Sequence, residues 1–287
     1  MKAGVVGAGL MGAEIALVHA LAGHDVILHD LDAQALDRAL ARLRGVLDKG
    51  VSRKDYSREE ADAALARILP QTDLATMAVC GMVTEAVYES FEAKVAVLRA
   101  LDGICAPECI FASNTSTLPI SSLAASLSTG RQARFLGTHY FSPVSRMALV
   151  EVIPGFATDP AVSEQVITLL AGLGKQPVRV KDVAGFAVNR MLHALLIEAV
   201  KLVEEGVATP QDLDLACRLG LGHPVGPFAL MDVVTSDLCL QVQQILQDAY
   251  GERFRPPALL KQRVAAGLGG GKGRPGWISP AAQRSER

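Results

Sequence analysis

The first half of the chain alternates short apolar runs with longer segments in which apolar residues recur every three or four positions. The short runs predict β-strands over 2–6, 25–29, 82–85, 109–112, 134–140 and 148–153. The longer segments predict helices over 10–22, 32–49 and 58–68. Ser57, followed three residues later by Glu60, has the pattern of a helix capping box. Alternation of this kind is typical of βαβ units and indicates a parallel sheet.

The pattern changes after Gly185, where helical periodicity takes over. Residues 188–205 predict one long helix that is apolar almost throughout, and 211–219 and 236–250 predict two more. A helix this apolar needs cover on more than one side, which a second copy of the chain would supply. We therefore predict an α/β fold. It has a Rossmann-type, mainly parallel sheet with helices on both faces over residues 1–184, and an all-α domain for dimerisation over 185–287.

Composition narrows the class of protein without naming a function. The chain has 287 residues, half of them hydrophobic, and a formal net charge of -2, which predicts no surface for nucleic acid or membrane binding. The first residues lack the layout of a secretory signal, and the uncharged stretch 110–130 is rich in Ser and Thr, which indicates strand and loops. Five cysteines without a CxxC pair predict reduced thiols in a cytoplasmic protein and no metal site.

The glycine-rich segment 267–276 and the polar tail after Pro280 are predicted to be loosely ordered.

A glycine-rich turn follows the first predicted strand. Gly7, Gly9 and Gly12 fit GxGxxG and open the first helix, where backbone N–H groups and the helix dipole favour a diphosphate. Asp30 ends the second strand, where its carboxylate would accept hydrogen bonds from ribose hydroxyls and repel a 2′-phosphate. The pattern predicts NAD as the cofactor. The alternative is a Rossmann domain that keeps the turn without binding a dinucleotide.

Oxidising an alcohol requires a base for the hydroxyl proton, and a neutral imidazole suits that task near pH 7. Among six histidines, His139 stands out because it ends a predicted strand in GTHYFSPV, ahead of a turn at Pro143. A hairpin there would bring Glu151 beside His139, where a carboxylate would fix the imidazole tautomer. The other histidines are interpreted as structural or solvated. Spacing alone leaves open a surface histidine and an unrelated glutamate.

With these residues in view, the chain resembles the L-3-hydroxyacyl-CoA dehydrogenase family from end to end. The segments that carry the resemblance occur in the family's order: GAGLMGAEIA, VILHD, TEAVYES, FASNTSTLPI, GTHYFSPVSRMALVEVI, GFAVNRML and GLGHPVGPF. The resemblance implies a nucleotide-binding domain followed by a helical domain that forms a homodimer. It also implies interconversion of (S)-3-hydroxyacyl-CoA and 3-oxoacyl-CoA with NAD, with an acyl-CoA as the partner and a short acyl chain expected.

The resemblance also assigns roles to individual residues. It implies His139 as the catalytic base, Glu151 as its orienting partner, and Ser116 and Asn189 as groups that hold the substrate. On the cofactor side it implies residues of the glycine turn, the acid after the second strand and later polar residues, namely Gly7, Gly9, Leu10, Met11, Gly12, Asp30, Glu89, Lys94 and Asn114. Arg53 and Lys54 are candidate partners for the phosphates of CoA, although exposed basic residues are usually only solvated.

The chain departs from the family pattern at several points. Ser142, which the resemblance places in the active site with the catalytic residues, stands in HYFSP where the family usually has the active-site asparagine of HFFNP. The trifunctional branch also has this serine. Val46 replaces a serine that contacts CoA in some members, and the closing segment GGGKGRPGWISP differs as well.

Two alternative functions remain. One is a dehydrogenase of free hydroxy acids, of the gulonate or carnitine type, on the same fold. The other is a non-catalytic NAD-binding protein like the crystallins of this superfamily.

Overall fold

The structure is a computed structural model that describes residues 1–278, and the chain divides into two compact units, Met1–Val183 and one that begins at Ala184. The first unit is built on an eight-stranded sheet in the order β3-β2-β1-β4-β5-β6-β7-β8. Its strands are β1 (Lys2–Val6), β2 (Asp25–His29), β3 (Ile68–Gln71), β4 (Met82–Glu85), β5 (Ile110–Ser113), β6 (Phe135–Tyr140), β7 (Leu149–Pro154) and β8 (Gln176–Arg179). All neighbours pair in parallel except β6 and β7, which confirms the predicted Rossmann-type sheet.

Helices cover both faces of this sheet because its central strands are apolar on both sides. They are α1 (Leu10–Leu21), α2 (Ala33–Arg53), α3 (Arg58–Ala66), a 3₁₀ helix (Leu74–Val79), α4 (Phe91–Asp102), α5 (Ile120–Ala124), α6 (Thr129–Gln132) and α7 (Pro160–Gly172). The capping box predicted at Ser57 is confirmed: the Glu60 N–H donates to Ser57 Oγ at 3.1 Å, and the Ser57 N–H donates to Glu60 Oε2 at 2.7 Å.

Two strands at the edges of the sheet were not predicted. The helix predicted over 58–68 is too long, because it ends at Ala66 and Ile68 begins β3 beside β2. The edge strand β8 is largely exposed, so its sequence carries no apolar run that would reveal it. Edge strands of four residues give a weak period-two signal, which explains both omissions.

The second unit is helical, as predicted. Its helices are α8 (Val188–Glu204), α9 (Pro210–Gly220), α10 (Pro227–Val234), α11 (Ser236–Tyr250), a 3₁₀ turn (Glu252–Phe254) and α12 (Ala258–Ala265). Phe228 and Trp277 pack in its core with ring centroids 5.0 Å apart. No helix among residues 1–278 is long and apolar enough to span a membrane.

The glycine-rich segment 267–276, predicted to be loosely ordered, makes backbone hydrogen bonds to the helical unit. The Gly271 N–H donates to the Asp232 carbonyl oxygen at 2.7 Å, and the Ser236 N–H donates to the Gly269 carbonyl oxygen at 2.7 Å. The carboxylate of Asp232 accepts hydrogen bonds from the N–H groups of Trp277 at 2.6 Å and Ile278 at 2.9 Å. The indole N–H of Trp277 donates to Ser236 Oγ at 2.9 Å. A buried tryptophan and a buried carboxylate therefore anchor a segment whose composition alone indicates flexibility. The polar tail after Pro280 lies outside the described residues.

Candidate active site

The glycine turn joins β1 to α1, and its geometry requires glycine at two of the three positions. Gly7 has φ +104°, and a Cβ there would meet the carbonyl oxygen of Ala86 at 2.6 Å. A Cβ at Gly12 would overlap the carbonyl oxygen of Gly7. At Gly9, by contrast, a Cβ would find only open space, and no side chain caps the first turn of α1. The open space and uncapped N–H groups at Leu10 and Met11 fit a pyrophosphate at the helix N-terminus.

Asp30 lies beside this turn, directly after β2. Its Oδ2 accepts a hydrogen bond from the Ala8 N–H at 2.8 Å, and its Oδ1 accepts one from the Asp32 N–H at 3.0 Å. A cavity of about 640 Å³ opens here, lined by Gly7, Gly9 and Asp30 together with apolar side chains of the β4–α4 region. A carboxylate at the rim of an apolar cavity next to a glycine turn fits the adenosine half of NAD.

Lys94 is buried next to the cofactor cavity rather than exposed to it. Its ammonium group lies 2.8 Å from Glu85 Oε1 and 3.1 Å from Glu89 Oε2, and its side chain is 1% exposed. Glu85, completely buried at the end of β4, also accepts hydrogen bonds from Ser113 Oγ at 2.6 Å and from the Val87 N–H at 2.7 Å. The sequence analysis does not identify Glu85 as a site residue, although Glu85 stands in TEAVYES four positions before Glu89. This ion pair fixes the loop that faces the glycine turn.

Glu89 links that loop to the segment carrying Ser116. Its Oε1 lies within hydrogen-bonding distance of five donors: the Thr115 hydroxyl, the Ser116 N–H and hydroxyl, and the Thr117 N–H and hydroxyl. Burial acts to raise the pKa of Glu89, but the charge of Lys94 and the hydrogen bonds from Thr115 and Ser116 outweigh it and hold the pKa below its usual value. An ionised Glu89 therefore orders the loop that would meet the substrate.

His139 and Glu151 face each other across the antiparallel ladder of β6 and β7, as the predicted hairpin requires. His139 Nδ1 lies 2.8 Å from Glu151 Oε2, and the side chains are 8% and 1% exposed. With Nδ1 held by the carboxylate, proton exchange falls to Nε2. The ring of Phe141 packs against the imidazole, with centroids 4.5 Å apart. The pair has the geometry of an oriented general base.

Asn114 is hydrogen-bonded to the strand that carries His139, and Ser142 follows that strand. The side-chain carbonyl of Asn114 accepts a hydrogen bond from the Tyr140 N–H at 2.9 Å, so Asn114 ties the end of β5 to the end of β6. Ser142 is exposed in the loop after β6.

Three further predicted residues are carried by other elements. Asn189 is in the first turn of α8, in the second unit. Arg53 pairs with Asp55 at 2.8 Å and lines a separate cavity of about 380 Å³, and Lys54 ends α2 with φ 63°. Residues 1–278 contain no cluster of side chains suited to a metal ion.

Comparisons with known proteins cover both units. The model of the 3-hydroxyacyl-CoA dehydrogenase NAD binding domain matches residues 2–183, and that of the 3-hydroxyacyl-CoA dehydrogenase C-terminal domain matches residues 185–279. A probable 3-hydroxybutyryl-CoA dehydrogenase of Deinococcus radiodurans is 41% identical over 96% of this chain and 99% of its own. A 3-hydroxybutyryl-CoA dehydrogenase of Bradyrhizobium diazoefficiens is 40% identical over 96% and 94%. The crystal structure of (S)-3-hydroxybutyryl-CoA dehydrogenase from Ralstonia eutropha superposes with a TM-score of 0.91 at 38% identity, covering 96% of this chain and 97% of that one.

Proposed function

Because this chain belongs to the 3-hydroxyacyl-CoA dehydrogenase family and is an NAD-dependent oxidoreductase, we propose that its substrate is a short-chain (S)-3-hydroxyacyl-CoA such as 3-hydroxybutyryl-CoA. The observation that carries the proposal is the buried pair of His139 and Glu151, 2.8 Å apart. A base of this kind is what the oxidation of a secondary alcohol needs. The likeness to relatives named 3-hydroxybutyryl-CoA dehydrogenase supports the short acyl chain.

In the oxidative direction, Nε2 of His139 takes the proton of the 3-hydroxyl group, and the C3–H bond breaks to leave a carbonyl. NAD, when bound, supplies the acceptor for the hydride that leaves C3. Glu151 keeps Nδ1 protonated and offsets the positive charge that develops on the imidazole. In the reductive direction His139 returns the proton to the carbonyl oxygen. Residues of the glycine turn with Asp30 and Asn114 would hold the dinucleotide.

Ser116 and Asn189 are proposed to hold the reacting oxygen and the thioester. Support for Ser116 comes from its segment, which Glu89 orders through several hydrogen bonds. Support for Asn189 is its position in GFAVNRML, the segment that resembles the family motif. Arg53 and Lys54 remain candidates for the phosphates of CoA. Because Asp55 already neutralises Arg53 at 2.8 Å, binding a phosphate there would require that ion pair to open.

The test is a panel of substrates measured in the reductive direction. We expect 3-oxoacyl-CoA esters of four to six carbons to give the highest kcat/KM, and NADH to exceed NADPH at least tenfold because Asp30 repels a 2′-phosphate. The readout is the loss of nicotinamide absorbance. Preference for free 3-oxo or 2-oxo acids over the CoA esters would favour the alternative dehydrogenase. Tight NADH binding without turnover on any ester would indicate a non-catalytic protein.

We further propose that the enzyme is a cytoplasmic homodimer assembled through its helical unit. Its helices carry large apolar side chains at the surface, with Met191, Leu219 and Val233 between 67% and 79% exposed. Such exposure in a group of helices is typical of a protein interface. The five free cysteines, four of them buried, support a reducing compartment.

Light scattering coupled to size exclusion checks the assembly. We expect the mass of two chains for the wild type and of one chain for Leu219→Asp combined with Val233→Asp, since charges are strongly disfavoured in an apolar interface. Phe156→Asp, which changes a 95% exposed side chain in the first unit, is the matched control and should remain dimeric. A monomeric wild type would contradict the proposal.

A further inference from the structure

The glycine turn is held by a side chain that comes from a distant part of the chain. Nη2 of Arg42, on α2, donates a hydrogen bond to the carbonyl oxygen of Ala8 at 2.9 Å, although the two residues are 34 positions apart. The sequence analysis assigns no role to Arg42. Exposed basic side chains are usually only solvated, whereas this one is bound to the backbone of a turn proposed to hold the cofactor.

The positive charge of Arg42 has no acidic partner within ion-pair distance. Among residues 1–278, no carboxylate oxygen lies within 4 Å of its guanidinium, whereas Arg38, one helical turn earlier, pairs with Asp32 at 2.9 Å. The carbonyl group of Ala8 is therefore the partner that holds the Arg42 side chain. A hydrogen bond from a charged donor is stronger than one between neutral groups.

This contact fixes the plane of the peptide that joins Ala8 to Gly9. The peptide is trans, so it is planar and its C=O and N–H groups point in opposite directions. On the other side of Ala8, its own N–H donates to Asp30 Oδ2 at 2.8 Å. With both backbone groups of Ala8 held, the N–H of Gly9 is directed away from Arg42.

Arg42 reaches the turn from outside the cavity proposed for the dinucleotide. Gly9 lines that cavity of about 640 Å³, and Arg42 does not. Arg42 lines a separate cavity of about 220 Å³ whose walls come from α1 and α2. Its effect on a bound dinucleotide therefore passes through the peptide between Ala8 and Gly9. A donor whose direction is fixed before binding costs less free energy to order, which strengthens binding.

We infer that Arg42 is a positioning residue for NAD, which directs the Gly9 N–H toward the pyrophosphate by holding the Ala8 carbonyl. The inference rests on the seating of the dinucleotide at the glycine turn in the proposed function, and it adds a residue of α2 to that seating. Without the contact, cofactor binding should weaken. Proton transfer at His139 and binding of the ester should be unchanged, because His139 lies in the β6–β7 ladder.

Three variants test this. Arg42→Met keeps most of the length of the side chain without a donor or a charge, Arg42→Lys keeps a charged donor, and Arg44→Met is the matched control at an exposed position of the same helix. We expect the NADH dissociation constant, from the fluorescence of the reduced nicotinamide, to rise about fivefold in Arg42→Met. Arg42→Lys should recover part of that loss, and Arg44→Met should not change it. In Arg42→Met the KM for NADH should rise in the same proportion, while kcat and the KM for a 3-oxoacyl-CoA stay within about twofold of the wild type.

Two further measurements separate positioning from charge attraction and from packing. Long-range attraction between a cation and a diphosphate is screened by salt, whereas the direction of a fixed peptide is not. The ratio of the dissociation constants of Arg42→Met and the wild type should therefore be the same at about 0.05 M and about 0.5 M NaCl. The unfolding midpoint of the free protein should stay within about 2 °C of the wild type, because the replaced residue is exposed.

Four results would overturn the inference: unchanged NADH affinity in Arg42→Met, no recovery in Arg42→Lys, a ratio that disappears at high salt, or a midpoint lowered beyond that range. None of them bears on the turnover of acyl-CoA esters. A wild type that binds NADH but turns over no acyl-CoA ester would instead overturn the proposed function and leave the role of Arg42 standing.

Discussion

Replacing His139 with glutamine should lower kcat for the reduction of a short 3-oxoacyl-CoA by about three orders of magnitude. Glutamine keeps a polar side chain of similar size but cannot exchange a proton with the substrate oxygen near pH 7. The pair with Glu151 lies in the β6–β7 ladder, whereas the cavity proposed for NADH lies beside β1 and β2. The dissociation constant for NADH should therefore stay within about twofold of the wild type. Stopped-flow measurement of single turnovers, with fluorescence titration of NADH, checks both values.

Two companion variants define what the loss means. Glu151→Gln keeps the hydrogen bond to Nδ1 but removes the charge, and we expect it to reduce kcat by about two orders of magnitude. The kcat of the double variant His139→Gln with Glu151→Gln should be little lower than that of His139→Gln alone, because the glutamate acts through the histidine. His24→Gln, outside the β6–β7 pair, serves as the control and should retain full turnover. If His139→Gln kept kcat within tenfold of the wild type, the catalytic assignment would be wrong.

The largest effect on stability is expected from Lys94→Met. The substitution preserves the length of the side chain but leaves the Glu85 carboxylate, which is fully buried, without its ammonium partner at 2.8 Å. Removing one member of a buried ion pair typically destabilises a fold by about 3–5 kcal/mol. For a chain of this size that corresponds to a midpoint lower by roughly 10 °C. Lys49→Met, on an exposed position of α2, is the matched control and should shift the midpoint little.

The pH dependence identifies the cause of that loss. Burial raises the pKa of the Glu85 carboxyl, although Lys94, Ser113 and the Val87 N–H oppose it. A carboxyl with a raised folded pKa weakens the fold above its unfolded pKa of about 4.3, and the penalty disappears as the pH falls below that value. The gap between Lys94→Met and the wild type should therefore widen from pH 5 to pH 8. Adding Glu85→Gln should restore at least half of the lost stability, and failure to do so would locate the defect elsewhere.

The parts of the site that the sequence predicts are those encoded over short distances. The turn at Gly7 and the acid at Asp30 follow from one βαβ unit, and the pairing of His139 with Glu151 follows from one hairpin. In each case the strand period and a turn determine which side chains meet. The fold class is predictable for the same reason, because apolar runs alternate with helical segments throughout the first unit.

Long-range contacts explain what was not predicted. Glu85 meets Lys94 only because β4 and α4 pack together, and Ser113 joins them from β5. The burial of Lys94 cannot be predicted from the sequence, because lysine is usually exposed. The burial of His29 at the end of β2 is likewise visible only in the folded structure. Burial and satisfaction of polar groups are properties of the packed structure.

The antiparallel ladder between β6 and β7 has a consequence for how freely the intervening loop can vary. His139 and Glu151 are directly opposed in register, flanked by Thr138 opposite Val152 and Tyr140 opposite Val150. Backbone pairing, and not the path of the loop, sets their separation, and a slip by one residue would turn Glu151 to the other face of the sheet. The loop after Phe141, which packs against the imidazole, can therefore change in sequence without altering the register that pairs His139 with Glu151. Insertions or substitutions in this loop should therefore leave the distance between the imidazole and the carboxylate unchanged.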